Sequence, residues 1–237
     1  MATNGVSKQQ HVEQLFASIA RRYDLLNSIL SFNHHKRWRA FAVQQCRLWS
    51  GDRALDVCAG TLDFAIELSR AVGPTGKVVG IDFCRPMLDV GRRKLEKRRI
   101  RNVSLAEGNA ERLPVPSNSF WAATIGFALR NVASVENTLS EMARVVEPGR
   151  RVVCLELARP NGRLFGPVYN LYFRRILPLI GGAINGNREA YEYLPESVAR
   201  FYSREELSQA MENVGLADVE VYNLSGGVVA VHVGTKR

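Results

Sequence analysis

An α/β fold, with a doubly wound seven-stranded, mostly parallel sheet whose last strand runs antiparallel, follows from three features of the sequence. Short apolar runs rich in β-branched residues alternate with helix-like segments from residue 53 to residue 158. Most of these strands are apolar on both faces, as in a parallel sheet covered by helices on each side. Two final strand-like runs are joined by a glycine-rich turn too short for a crossover, so they form a hairpin.

The elements follow in order along 237 residues, a length that suits one domain with a sizeable core. Residues 8–50 read as a helical cover. In VEQLFASIARRYDLLNSIL, Val12, Leu15, Phe16, Ile19, Tyr23, Leu26 and Ile29 recur at three- and four-residue steps. Residues 51–158 form a ligand-binding core. RALDVCA is its first strand, DFAIELSRAVGPTG a helix that stops in Gly-Pro-Thr-Gly, and KVVGIDF the second strand, a βαβ unit with a right-handed crossover. Helix 86–98, strand NVSLAEGN, loop AERLPVPSNSF, strand AATIGF, helix SVENTLSEMARVVEPG and strand RRVVCLELA continue the pattern. Residues 159–203 interrupt it with an apolar, aromatic-rich insertion after strand five. The helix SREELSQAMENVG and the strands ADVEVYNLS and GGVVAVHVGTK fill 204–237.

Composition narrows the function. Four scattered cysteines (Cys46, Cys58, Cys84 and Cys154) form no C-x-x-C pair, and the amino terminus lacks an apolar signal core, so a reduced cytoplasmic setting is expected. No stretch is long and uncharged enough to span a bilayer. The net charge of +9 favours nucleic acid, an anionic membrane surface or an anionic ligand. Its densest run, GRRKLEKRRIRN at 91–102, reads as one amphipathic helix with a solvated basic face. No stacking-aromatic motif accompanies it, so a nucleic-acid partner is not expected.

The turn LDVCAGTLDF carries the chemistry. A strand ending at Asp56 and a turn through Gly60 and Thr61 into a helix present free backbone N–H groups. A dinucleotide fingerprint needs glycine at three spaced positions, and here Cys58 and Leu62 flank a single Gly60. S-adenosylmethionine carries no pyrophosphate and tolerates one central glycine. Asp82, closing the second strand, can accept from both ribose hydroxyls, and Met87 follows on the next helix. Asn109 and Ala110, after the third strand, can meet the adenine edge, while Gly126, ending the fourth, leaves room beneath the cofactor. All lie at the carboxyl edge, where open α/β sheets bind ligands.

These segments, with FASIARRYDLLNSILSFNHHKRWR, GNAERLPVPSNSF, TIGFALRNV, YEYLPESV and NLSGGVVAVHVG, resemble the menaquinone and ubiquinone biosynthesis C-methyltransferases, class I S-adenosylmethionine enzymes. LDVCAGT, VVGIDF and VVCLELARP are closest to the menaquinone branch. The resemblance implies methylation of a prenylated quinol ring, demethylmenaquinol to menaquinol, together with peripheral contact at the inner leaflet of the membrane and a homodimer. The chain departs from the family pattern at Leu62, where glycine or another small residue is usual; a bulky side chain there can point back into the sheet.

Transfer to carbon needs a ring activated as its phenolate, hence a base or a stabilising cation. By the resemblance, Arg130 and Asn131 in LRNV lead the catalytic candidates, with Tyr23 and Asp24 in RRYD and Tyr193 in YEYLPES behind them. His34 or His35 can serve as base only if it faces the pocket, and no metal is implied. In the insertion, Leu164, Phe165, Val168, Leu171, Tyr172, Ile176, Leu177 and Ile180 offer a greasy face for an isoprenoid tail, interrupted by Arg174 and Arg175. A methyltransferase for a soluble small molecule, or a cofactor-binding protein that has lost catalysis, shares the same loop.

Overall fold

The computed structural model describes residues 8–159 and 189–237. Its strands are β1 (Arg53–Val57), β2 (Lys77–Asp82), β3 (Val103–Glu107), β4 (Phe120–Gly126), β5 (Val146–Leu157), β6 (Leu216–Leu224) and β7 (Val229–Lys236). They form one sheet in the order β3-β2-β1-β4-β5-β7-β6. The first five run parallel, and β7 lies antiparallel to both β5 and β6. The strand order reverses between β1 and β4, which opens a crevice at their carboxyl ends.

Helices α1 (Lys8–Ile19), α2 (Tyr23–Leu30) and α3 (His34–Gln45) make the cover. Helices α4 (Asp63–Ala71), α5 (Arg85–Arg98), α6 (Val135–Val145), α7 (Glu189–Arg200) and α8 (Arg204–Asn213) follow. Along β1 the side chains alternate between two cores. Leu55 and Val57 pack with Leu139, Met142 and Met211 under α6 and α8, while Ala54 packs with Ile66, Leu68 and Leu88 under α4 and α5. Both faces are therefore covered, which is why these strands read as apolar throughout. Ser134 caps α6 by accepting from Asn137 N, and Ser203 and Glu206 form a capping box on α8.

Three sequence expectations change. The single amphipathic run from Val12 to Ile29 breaks at Ala20–Arg22 into α1 and α2, so Leu26 is buried while Leu25 and Ile29 face outward. The basic helix is not wholly a solvated face, because Lys94 turns inward to two carboxylates. Part of the 159–203 insertion is helix α7; the greasy positions from Leu164 to Ile180 lie outside the described residues.

Candidate functional site

The turn after β1 keeps the backbone that glycines usually supply. Cys58, Gly60 and Leu62 all have left-handed φ, at 54°, 53° and 67°. Two of the three carry side chains in a conformation that costs such residues on the order of 1 kcal/mol each. Leu62 recovers that cost by burial. Its side chain is fully enclosed and lies over Gly80 of β2 and Gly91 of α5, where a Cβ would come within 3.1 Å and 2.4 Å of leucine atoms. The bulky residue points into the sheet, away from the mouth of the loop.

A pocket opens at the carboxyl ends of β1, β2 and β4. Gly60, Asp82, Met87, Gly126 and Asn131 line it from the sheet side, and Val12, Phe16 and Tyr23 from α1 and α2 close it. Asp82 is held from two sides: Oδ2 accepts from Gly60 N at 2.8 Å and Oδ1 from Cys84 N at 2.8 Å. Burial pushes its carboxyl up to about 6, against the opposing pull of those N–H groups. Its lone pairs beyond these bonds remain available to ligand hydroxyls. The acid as acceptor, the side-chain-free Gly60 and the apolar flank of Met87 suit the ribose and the apolar faces of an adenosine. As it stands the pocket is narrow, about 50 Å³, against roughly 300–1,000 Å³ for typical ligand clefts.

Other expected residues fall elsewhere. Asp56 lies beneath the turn, fully buried, accepting from Thr124 Oγ1 at 3.2 Å with Oδ2 unpartnered, and burial pushes it up to about 7. Thr61 turns away and donates to Asp24 Oδ1 at 2.5 Å. Asn109 is exposed, its Oδ1 accepting from Glu111 N, and neither it nor Ala110 lines the pocket. Gly126 does line the pocket, but its lack of a side chain serves Phe64, whose ring would lie 2.6 Å from a Cβ there.

Among the catalytic candidates, Tyr23 and Asn131 reach the pocket. Burial raises the Tyr23 hydroxyl, although a hydrogen bond with Asn27 and the charges of Arg39 and Arg130 oppose the rise. Asn131 Oδ1 accepts from Tyr193 Oη at 3.1 Å, so α7 touches the site edge. Arg130 does not line the pocket: its guanidinium is buried against Glu156 at 2.5 Å and donates to the Phe127 carbonyl at 2.6 Å. His35 is buried with Nδ1 2.6 Å from Ser31 Oγ and is pushed down to about 4 by burial and Arg39; His34 is exposed and stacks on Trp38. Neither histidine lines the pocket.

Sequence reasoning missed three features. Val12 and Phe16 appeared only as periodic apolar residues, yet they close the pocket. Glu156 was readable as a carboxylate stranded in VVCLELA, a position that demands a buried cation. The third is a cluster under the cover. Lys94 pairs with Asp24 at 2.8 Å and with Asp63, and Asp63 also pairs with Arg39 at 3.2 Å. Burial opposes ionisation of Asp63, but Arg39 and Lys94 outweigh it and hold the carboxyl below its usual range. The cluster ties α2 and α3 to the loop and to α5.

A model of the ubiE/COQ5 methyltransferase family matches residues 4–236. A demethylmenaquinone methyltransferase of Halalkalibacterium halodurans is 44% identical over 231 residues, 98% of this chain and 94% of the relative. One from Staphylococcus aureus is 44% identical over 237 residues, covering 100% of this chain and 97% of its own. Among solved structures, a methyltransferase of Thermotoga maritima, described as S-adenosylmethionine-dependent and possibly a histamine N-methyltransferase, aligns with a TM-score of 0.68. Its identity is 22%, over 96% of this chain and 100% of its own, a likeness of fold.

Proposed function

The chain belongs to the ubiE/COQ5 methyltransferase family, and from that membership we propose that it methylates demethylmenaquinol to menaquinol with S-adenosylmethionine as donor. The observation that carries this reading is near full-length identity of 44% to demethylmenaquinone methyltransferases. The largely apolar pocket at the switch point, with Asp82 on its wall, supports it.

S-adenosylmethionine, when bound, supplies an electrophilic methyl group. Asp82 would accept from the ribose hydroxyls, with Gly60 and Met87 beside the adenosyl moiety. Asp56 and Thr61 act indirectly, the first under the turn and the second through Asp24. Asn109 and Ala110 lie outside the pocket and would meet the adenine edge only where it extends past Asp82, Asn109 through Nδ2 because its Oδ1 is taken by Glu111 N. On the ring side, Asn131 Oδ1 is engaged by Tyr193, which leaves Nδ2 to donate to a quinol oxygen. Tyr23, kept protonated by burial, donates to the same developing phenolate. Arg130 sits behind them, its charge oriented by Glu156, and favours the anionic ring electrostatically rather than by taking a proton. Much of the acceleration then comes from alignment and exclusion of water.

A prenylated quinol dissolves in the bilayer, so we infer peripheral work at the inner face of the membrane, by a homodimer. Among the described residues no helix is long and apolar enough to cross a membrane. The test is methyl transfer from labelled S-adenosylmethionine to demethylmenaquinol in liposomes, run beside a demethylated ubiquinol precursor. Label in the naphthoquinol is the expected result; label in neither, with cofactor binding intact, rejects the assignment.

A further inference from the structure

We propose that the outer face of α2, with the cationic groove beside it, is the surface by which the protein docks on an anionic lipid bilayer. The proposal rests on the membrane reading above and gives it a location. Leu25, Ile29 and Phe32 are 55%, 38% and 74% exposed. The first two stand one helical turn apart on α2 and so share one surface strip, and Phe32 follows just beyond the helix end. Exposed apolar residues scattered singly need no explanation, whereas a contiguous strip does.

A basic groove flanks this strip. Arg21, Arg93, Lys94 and Lys97 line it with Asp24 and Val90. Asp24 is already engaged by Lys94 and Thr61, and Arg21, Arg93 and Lys97 form no ion pair among the described residues. Lys36 and Arg37, exposed at the start of α3, extend the positive field on the same cover. An apolar strip bordered by cations is the chemistry of an interfacial helix, with side chains entering the acyl boundary and basic residues on anionic headgroups. Nucleic acid would use the charge but not Leu25 and Ile29.

The opposite side of α2 explains why docking there is useful. Tyr23 lines the pocket and Leu26 is buried, so one helix, about 10 Å across, separates the reaction site from the docking plane. Through Asp24 the helix is bonded to Thr61 and Lys94, which fixes that plane relative to the cofactor loop. A quinol ring rising from the headgroup region has only this thickness to cross, while its tail stays in lipid.

Flotation of the full chain on vesicles of phosphatidylcholine, with and without phosphatidylglycerol, tests the assignment. Wild type is expected on the anionic vesicles and released by salt. Each cation near such a surface is worth about a fivefold change in partitioning, so Arg21→Gln/Arg93→Gln/Lys97→Gln should lose roughly a hundredfold. Leu25→Ser/Ile29→Ser should lose about tenfold per side chain. It should also slow turnover of long-tailed quinol in vesicles while sparing S-adenosylmethionine binding and turnover of a short-tailed quinol in detergent. Flotation of both variants like wild type overturns the α2 assignment and leaves the membrane reading standing. Failure of wild type to float, with detergent activity intact, overturns both. Conversion of a dimer to a monomer by Leu25→Ser/Ile29→Ser, seen by light scattering, also overturns the proposal, because the strip is then covered by a second copy.

Discussion

Replacing a helix-interior glycine by alanine usually stabilises a protein by about 1 kcal/mol, and Gly91→Ala should do the reverse. A Cβ at Gly91 lies 2.4 Å from Leu62 Cγ and 2.6 Å from Cδ1, well inside the carbon–carbon optimum of about 3.5–4.0 Å. Leu62 has little room to yield. Its backbone is left-handed and its side chain is fully buried. Overpacking costs about 1–3 kcal/mol, and so close an overlap belongs at the upper end, leaving a net loss of about 1–2 kcal/mol after the propensity gain. Leu62→Ala alone should lose about 2–5 kcal/mol through the cavity. In the double variant the new methyl enters that cavity, so Leu62→Ala/Gly91→Ala should exceed Leu62→Ala in stability, with a favourable coupling of about 2–3 kcal/mol. Urea unfolding followed by circular dichroism measures all four corners of the cycle. A stabilising Gly91→Ala, or single effects that add within about 0.5 kcal/mol, refutes the packing argument. Calorimetry on folded Leu62→Ala should meanwhile find S-adenosylmethionine affinity within a few-fold of wild type, because the lost side chain points away from the ligand.

Asp56 and Asp82 are pushed up to about 7 and about 6, above the ~3.9 of an unfolded carboxyl. The folded state therefore holds more protons between those limits. Stability from these groups is full below about pH 4 and is lost as pH rises through 6 to 7, at about 1.4 kcal/mol per pH unit per group. Urea midpoints should show Asp56→Asn flattening this decline; an unchanged slope contradicts it. Binding of S-adenosylmethionine should weaken below about pH 6 as Asp82 protonates, and calorimetry on Asp82→Asn should find that dependence gone along with most of the affinity. Glu156→Gln strands the buried Arg130 and should cost about 3–5 kcal/mol, with a fall in Tm on the order of 10 °C; a Tm within a degree or two of wild type would rule this out. Lys94→Met removes the cation shared by Asp24 and Asp63, and amide exchange should accelerate in Tyr23–Leu30 more than in Asp63–Ala71. Protection in both helices equal to that of wild type would show that the cluster does not hold the cover.

The middle of the sheet was legible because β1, β2 and β4 are buried on both faces, and Asp82 because an acid closing the second strand beside a one-glycine turn has few other uses. The helical cover was less so. Its break at Ala20–Arg22 contains neither glycine nor proline, and the apolar steps run through it in phase, so periodicity alone joins α1 to α2. The orientation of Leu62 depends on Gly80 and Gly91, whose lack of side chains makes room for it from two other elements. Gly126 was read as space for a ligand, while the close neighbour is Phe64. In both cases the local motif named the position, and a partner distant in sequence decided what the residue does there.

The pocket divides into parts that are held and parts that can give, and the division follows from the chemistry of each side chain. Asp82 is fixed by two backbone donors, Asn131 by Tyr193, and Asp24, next to Tyr23, by Thr61 and Lys94. These polar contacts are directional and define where hydroxyls and a developing charge can sit. Closure of the narrow space falls to Met87 and Phe16, together with Val12. Methionine, unbranched with three rotatable bonds, fills such gaps and leaves them at small cost, and Phe16 is only partly buried. Widening to ligand size can therefore proceed by side-chain rearrangement of the apolar roof while the polar frame stays in place.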